Sequence, residues 1–232
     1  MNFMTIVSIH QPGYLPWLGF FKKIEYSDVF VILDDVKYVK RQWHNRNQIR
    51  TSQGNKFLSV PIKGNSGKNI NEVEIDYSQD WRLIHKKTIK YSYSKAKYFE
   101  QYWNLLEKIF SEKFEKLLEL NWALIDCIMK ELKLEKKIIF SSDLDIQKTK
   151  SDRNLAICKK LKASVYLSGT LGKNYLNEQD FSNNGIKVEF QNFQHPIYTQ
   201  CYEPFIPNMA TIDILFNEGE NASTILKNAN NF

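Results

Sequence analysis

The chain has 232 residues, of which 43% are hydrophobic and 25% are charged, and this length can bury the core of one domain without disulfides or structural metals. No stretch approaches the roughly 18 apolar residues of a membrane-spanning helix, and the N-terminus lacks the features of a secretory signal, so we expect a cytoplasmic protein. Three widely spaced cysteines without a CxxC pair exclude the common zinc and redox motifs, while a net charge of +6 permits an anionic partner without identifying one.

The start of the chain predicts a β-α-β unit. Residues 4–10 form a short apolar run that ends at a Gln-Pro-Gly turn, residues 17–26 carry apolar side chains at helical spacing, and residues 28–33 form a second apolar run. Such units build parallel sheets, whose ligands bind beyond the carboxyl ends of the strands. We therefore expect functional side chains just after the two apolar runs.

Two β-prone runs follow, at residues 48–51 and 56–61, and the turn residues between them predict an antiparallel pair that extends the sheet. Residues 71–76 alternate apolar and polar and predict another strand. From residue 81 to 134 the apolar period is helical, which predicts a block of two or three helices. Its aromatic residues suit either core packing or a cover over a ligand.

The α/β pattern then resumes. Ser151 is a candidate N-cap for a helix that ends near residue 161, and residues 164–168 and 186–191 read as buried strands. The predicted fold is therefore α/β, with a mostly parallel Rossmann-like sheet, an antiparallel extension and an inserted helical block. We expect one domain over residues 1–232, with a helical subdomain at about 81–134.

The loop after the first strand is the first candidate site. Two prolines and a glycine make it rigid, and it carries His10, Gln11, Tyr14 and Trp17. Hydrogen-bonding and stacking groups at the carboxyl end of a strand are typical of sites. The alternative is a structural turn with aromatic packing.

Asp34 and Asp35 follow the second strand and are candidate catalytic groups. They could act as a general base or orient a substrate amine or hydroxyl. Paired acids also form ordinary turns, and because no further carboxylate stands at a recognisable spacing, we predict no metal site.

The segment KYVKRQWHNRNQIR combines guanidinium, amide and indole groups, which suit the recognition of phosphate, base or sugar. A solvated basic loop is the alternative, although Trp and Asn fit it poorly. The predicted substrate-binding residues are Arg41, Trp43, Asn45, Arg46 and Asn47.

Two later segments are also candidates for substrate binding. Ser168 and Gly169 begin a glycine-containing turn that lacks the spacing of a P-loop but could present backbone N–H groups to a ligand. His195, Tyr198 and Gln200 surround a proline, and there a packing role in an edge strand is an equal alternative. The chain has no G-x-S-x-G elbow and no cysteine in a catalytic context, which favours histidine and carboxylate chemistry.

These motifs together resemble the WbqC-like protein family. The resemblance rests on IHQPGYLPWLGFFKKI, SDVFVILDDVKYVKRQWHNRNQI, VYLSGTLGKNYL, FQNFQHPIYTQ and IDILFNEG, in that order over essentially the whole chain. It implies a bacterial enzyme of O-antigen, lipopolysaccharide or other surface-polysaccharide biosynthesis, and a glycine transferase acting on an amino sugar. Its partners would be a nucleotide-linked amino sugar and other enzymes of polysaccharide biosynthesis.

The resemblance leaves the activation of the acyl donor open. The opening β-loop-α-β is loosely similar to nucleotidylyltransferases of the HIGH type, including pantothenate synthetase, which would imply ATP. This chain lacks their second histidine, so a preactivated aminoacyl-tRNA or acyl-CoA is the alternative donor. In either case His10 would act as acid, base or phosphate ligand, one of the two aspartates would orient the amine, and Arg41 and Arg46 would hold a nucleotide-sugar diphosphate.

Two other function classes remain open at this point. One is a nucleotide-sugar or tRNA binding protein without chemistry, which would need no ionisable group at His10. The other is a glycosyltransferase, for which an Asp-x-Asp motif would be expected after a strand. The chain has Asp34 and Asp35 there, and its only such pattern, at residues 143–145, lies in a predicted turn.

Overall fold

The computed structural model describes residues 4–64 and 67–230. Within these residues, short strands alternate with helices over most of the chain. The strands are β1 (Ile6–His10), β2 (Val29–Ile32), β3 (Arg46–Thr51), β4 (Gly54–Ser59), β5 (Lys137–Phe140), β6 (Val165–Ser168) and β7 (Lys187–Phe190). The helices are α1 (Leu18–Tyr26), α2 (Trp81–Tyr93), α3 (Phe99–Ser111), α4 (Leu117–Glu131), α5 (Lys150–Lys160), α6 (Glu178–Asn183), α7 (Ile212–Glu218) and α8 (Asn221–Asn228).

Five parallel strands form the central sheet, in the order β5-β2-β1-β6-β7. From β1 the chain proceeds to β2 and β5 on one side, and later to β6 and β7 on the other. The strand order therefore reverses between β1 and β6, and in sheets of this kind ligands bind at such a switch point, beyond the carboxyl ends of the strands. The predicted α/β, Rossmann-like class is confirmed.

Helices cover both faces of this sheet because its strands are apolar on both sides. In β2, Phe30 and Ile32 join a large apolar cluster with α1 and the helices α2 to α4, whereas Val29 and Val31 join a smaller cluster with α5 and α6. The three helices α2, α3 and α4 occupy the predicted helical block.

The antiparallel pair, β3 and β4, is present as a separate two-stranded sheet. The sequence predicts that this pair extends the main sheet, but β3 and β4 bond only to each other as strands. Their inner face carries Asn47, Ile49 and Leu58 into the larger apolar cluster, and Ala210 donates its N–H to the Gln48 carbonyl. Packing against helices thus decides the position of the pair.

Three local expectations differ from the structure. Residues 71–76 form no strand, because Asn69 and Glu72 make a capping box around a 3-10 turn at Ile70–Glu72. Ser151 lies inside α5 and accepts a hydrogen bond from the Asn177 N–H instead of capping the helix. The edge strand β5 is not predicted, since it has only three apolar residues beside a charged run.

None of the helices in the described ranges is both long and apolar enough to cross a membrane.

Gly219 ends α7 with a φ of 59°, and a Cβ there would lie 2.8 Å from the ring of Tyr98. Gly185 has a similar φ of 70°, but a Cβ at that position would meet no atom within 4 Å. We expect Gly185→Ala to cost about 1–2 kcal/mol of unfolding free energy, since only the left-handed backbone is penalised. Gly219→Ala should cost at least about 1 kcal/mol more because it also crowds the ring. Urea denaturation of both variants measures the difference, and equal losses would contradict it.

Candidate functional site

His10 ends β1 at the switch point and is the centre of the candidate site. Its ring packs edge-to-face on Phe20, with 5.2 Å between ring centroids, yet the residue remains accessible to solvent. Nδ1 lies 2.9 Å from the carbonyl oxygen of Gln11. Since a carbonyl can only accept, Nδ1 carries the proton, and Nε2 is left as a free acceptor.

The surroundings of His10 favour its neutral imidazole. Desolvation by the surrounding protein lowers the pKa of His10 from 6.5 to about 4, and the positive charge of Lys23 contributes to this lowering. Lys23 is itself buried, and its Nζ donates to the Ile9 carbonyl at 3.0 Å. Desolvation lowers the pKa of Lys23 to about 7. Two basic groups of reduced proton affinity thus stand together at the end of β1.

The other side of the switch point is formed by the end of β6. The β1–β6 pairing reaches Ser8 and Leu167, so that Ser168 and Gly169 end beside His10. Ser168 is buried, and its hydroxyl donates to the Gly169 carbonyl at 3.3 Å. Gly169 is half-accessible. Of these two predicted residues, Gly169 offers backbone to a ligand and Ser168 supports the turn.

Asp34 is buried at the end of β2 and is bound by four donors. They are the Ser141 hydroxyl (3.0 Å), the Ser142 N–H (3.0 Å), the Ser142 hydroxyl (2.8 Å) and the Asn71 amide (3.3 Å). Together they join the ends of β2 and β5. This satisfies the carboxylate and gives it a structural role.

Asp35 is more accessible than Asp34. It pairs with the guanidinium of Arg153 at 2.5 Å, with side-chain exposures of 23% for Asp35 and 9% for Arg153. Arg153 also donates to the Ile146 and Lys148 carbonyls. Of the two predicted aspartates, Asp35 is the one that solvent and a ligand can reach.

Buried contacts hold the loop after β1 in place. Tyr14 is fully buried, its hydroxyl hydrogen-bonds Nδ1 of His85 at 2.8 Å, and its N–H donates to the Trp43 carbonyl at 3.0 Å. Trp17 is half-buried, with its ring over Gly19 and edge-to-face with Phe193. Among the predicted loop residues, Tyr14 therefore anchors the loop, while His10 and Gln11 remain reachable.

The amide side chains of the next predicted segment hold backbone. Asn47 is buried and donates to the Leu15 carbonyl at 2.7 Å. Asn45 donates to the Val60 carbonyl at 2.8 Å and accepts from the Tyr38 hydroxyl at 2.9 Å. The Asn47 bond docks the segment 43–47 against the β1 loop, whereas the Asn45 bonds hold it to Tyr38 and to the residue after β4.

Trp43, Phe57 and Arg46 form an exposed surface that we call the aromatic platform. The Trp43 and Phe57 rings are stacked at 6.0 Å and 26°, and are 51% and 45% exposed. The guanidinium carbon of Arg46 lies 4.9 Å from the centroid of the Phe57 ring, and Arg46 also donates to the carbonyl of Arg41. Arg41 itself is exposed. The predicted Arg41, Trp43 and Arg46 are thus brought together beside the β1 loop.

His195, Tyr198 and Gln200 belong to a second polar cluster, around Asp213. This buried carboxylate accepts from the Tyr198 hydroxyl at 2.7 Å and from Nε2 of Gln200 at 2.9 Å. Burial raises the pKa of Asp213 and holds the pKa of Tyr198 well above its usual range. His195 packs among aromatic rings. The cluster holds the segment before α7, and Phe193 links it to Trp17 of the β1 loop.

A model of the WbqC-like protein family matches residues 11–225 of the chain. The chain belongs to this family. It is 33% identical over 228 residues to the uncharacterized protein Rv1507c of Mycobacterium tuberculosis (strain ATCC 25618 / H37Rv), an alignment that covers 97% of this chain and 98% of the relative. No solved structure matches the chain. Membership of the WbqC-like family suggests a role in polysaccharide biosynthesis.

Sequence reasoning missed Lys23 and left His44, a member of the predicted basic segment, without a role. The spacing of apolar residues predicts that Lys23 lies on a helix. It directly follows Lys22, and two adjacent lysines in a sequence give no sign that one of them is buried. His44 lies beside the β1 loop, with Nδ1 3.5 Å from the Pro12 carbonyl, and it contributes to lowering the pKa of His10. Its Nε2 is buried without a partner among the described residues. Among these residues no group of three or more His, Cys, Asp or Glu could hold a metal ion.

Asp34→Asn is expected to destabilise the protein by about 3 kcal/mol, because an amide replaces a buried acceptor that four donors face. Asp143→Asn is the matched control, since Asp143 is exposed shortly after β5, and it should change stability by less than about 0.5 kcal/mol. Urea unfolding of both variants gives the comparison. Wild-type stability of Asp34→Asn would argue against a structural role.

Proton titration by NMR should find His10 as the Nδ1–H tautomer with a pKa of about 4. Lys23→Met should raise this pKa, because the lysine charge disfavours the imidazolium cation. Lys22→Met is the matched control, since Lys22 pairs with Glu25 instead, and it should leave the titration of His10 unchanged. An equal response to both substitutions would contradict the effect of the Lys23 charge on the pKa of His10.

Proposed function

We propose that this protein transfers an aminoacyl group, such as glycine, onto the amine of a nucleotide-activated amino sugar in surface-polysaccharide assembly. The observation that carries the proposal is the state of His10. It is an accessible, neutral imidazole with a fixed tautomer and a free Nε2, and it stands at the switch point of a Rossmann-like sheet. Family membership supports the polysaccharide context.

Amide formation from an activated acyl group needs an acceptor for one proton of the attacking amine. In the proposed reaction, the sugar amine attacks the acyl carbonyl carbon, a C–N bond forms, and the bond from that carbon to the leaving oxygen or sulfur breaks. Nε2 of His10 accepts the amine proton and passes it to the leaving atom.

The surrounding charges support a phosphorylated substrate. Lys23, Arg41 and Arg46 place positive charge around the β1 loop, and phosphate oxygens are natural partners for guanidinium groups. A bound diphosphate would also oppose the effect of Lys23 and raise the pKa of His10 towards neutrality, where proton transfer is most efficient. Asp35 is the reachable carboxylate that could orient the amine.

The purified protein should be incubated with glycine, ATP and a panel of nucleotide-linked amino sugars, and then with glycyl-tRNA or a glycyl thioester of coenzyme A instead of ATP. Product mass and pyrophosphate release would be followed together. An acylated sugar with pyrophosphate supports self-contained adenylation, and product only from a preactivated donor supports simple transfer. No product from any donor would favour a non-catalytic binding partner, and release of the nucleotide with transfer of the sugar would favour a glycosyltransferase.

His10→Ala should lower kcat/KM by at least about 100-fold, the usual contribution of general acid–base catalysis. The fold should survive, because the ring is accessible and makes its hydrogen bond within its own loop. Tyr91→Ala, at an exposed position on α2, is the control and should retain full activity. Near-normal turnover of folded His10→Ala would remove His10 from the mechanism.

A further inference from the structure

The positive charge of this protein is concentrated in one segment. From residue 36 to residue 71 there are eight Lys and Arg and no Asp or Glu. Since the whole chain has 32 basic and 26 acidic residues, the remainder carries 24 basic residues and all 26 acidic ones. The net charge of +6 therefore arises entirely from these 36 residues, which include β3 and β4.

Much of this charge is free to meet a partner. Lys63 and Lys68 share the single carboxylate of Glu74, at 2.9 and 3.1 Å, and Arg50 is buried under Tyr202 and Pro204. The others are exposed or half-exposed, and they form no ion pair within 4 Å in the described part of the chain. They are Lys37, Lys40, Arg41, Arg46 and Lys56.

The aromatic platform lies within this charged segment. Its two exposed rings and one guanidinium offer flat faces, and on β3 and β4 the side chains of Gln48 and Asn55 extend the same outer face. Stacked aromatic faces next to cations that follow a backbone are the usual means of binding single-stranded nucleic acid. A simple polyanion would gain nothing from exposed aromatic rings, because it has no bases to stack on them.

The platform is also rigidly placed relative to His10. The Trp43 carbonyl accepts the Tyr14 N–H, and the Asn47 amide holds the Leu15 carbonyl, so the platform is fixed to the loop that begins at His10. A strand of nucleic acid lying on the platform would have an end within reach of this loop.

We infer that the aromatic platform and its flanking cations bind the unpaired end of an RNA that carries the aminoacyl group. This inference rests on the proposed function and names the donor class. An aminoacyl ester on the terminal ribose supplies the activated carbonyl, so no ATP is consumed here. The amine attacks that carbon, the amide C–N bond forms, the ester C–O bond breaks, and the ribose hydroxyl leaves with the proton that the amine gives up.

The first test measures binding of a fluorescent single-stranded RNA of about ten nucleotides ending in CCA, by anisotropy at several salt concentrations. Trp43→Ala and Phe57→Ala should each weaken binding about tenfold, which is typical of one stacked base, without changing the salt dependence. Trp43→Phe should restore most of the affinity. Lys40→Ala and Arg41→Ala should instead lower the slope of log K against log salt by about 0.7 for each lost phosphate contact.

Tyr26→Ala and Lys108→Ala are the matched controls, one an exposed aromatic residue at the end of α1 and one an exposed cation on α3, both outside the platform. They should bind as the wild type does. Inorganic polyphosphate is the competitor that separates charge from stacking. If polyphosphate of equal charge bound as tightly as RNA, or if the platform substitutions had no effect, the inference would be overturned.

The second test separates this inference from the proposed function. With a glycyl-RNA donor, Phe57→Ala should raise KM about tenfold, while its activity with a glycyl thioester should equal that of the wild type. Transfer from the thioester by a protein that does not bind RNA would leave the proposed function standing and overturn the RNA donor. RNA binding with the expected pattern, but no amide from any donor, would support the RNA site and overturn the proposed transfer.

Discussion

The candidate site depends on the attachment of the β1 loop to the segment 43–47. Two hydrogen bonds carry it, from Tyr14 N–H to the Trp43 carbonyl (3.0 Å) and from the Asn47 amide to the Leu15 carbonyl (2.7 Å). Each bond pairs a buried backbone group that water no longer reaches. Leaving such a group unpaired would cost about 1–3 kcal/mol of stability. The central sheet and the two-stranded sheet are separate in their strand pairing, so these contacts place His10 and the aromatic platform in one fixed arrangement.

Desolvation has the largest effect on the pKa of His10 at the switch point, and buried basic groups add to it. Lys23 and His44 lie close enough to His10 to lower its pKa, and none of the salt bridges found in the described residues involves these three groups. A buried cation without a carboxylate is unfavourable in the free protein. Binding of an anion nearby would relieve part of this cost, so the free protein already holds its groups in the state that a phosphorylated ligand would complement.

Much of the fold could be predicted from the sequence, because apolar runs and turn residues report local structure directly. The βαβ unit at the start, the helical block and the strands near residues 165 and 187 follow from periodicity. The position of β3 and β4 could not be predicted, since it depends on which helices cover Ile49 and Leu58. The edge strand β5 escaped prediction because three apolar residues beside a charged run give too weak a pattern.

The predicted site residues differ in their accessibility, which their residue types do not show. His10, Arg41, Trp43 and Arg46 are accessible, as a binding site requires. Sequence cannot distinguish such residues from Tyr14, Asn47 or Asp34, because the same polar groups also hold buried backbone and join strand ends. The contribution of Lys23 depends on its burial, which only the packing of α1 reveals.

The separate pairing of β3 and β4 has a consequence for how this protein could diversify. The outer face of this small sheet contacts solvent, while its inner face and the docked segment 43–47 secure it to the rest of the molecule. Substitutions at positions such as Trp43, Phe57 and Lys56 would alter which molecule is held without disturbing the packing beneath His10. If the proposed transfer and RNA site hold, partner choice and bond-making chemistry are encoded in different parts of the chain, and one could change while the other is preserved.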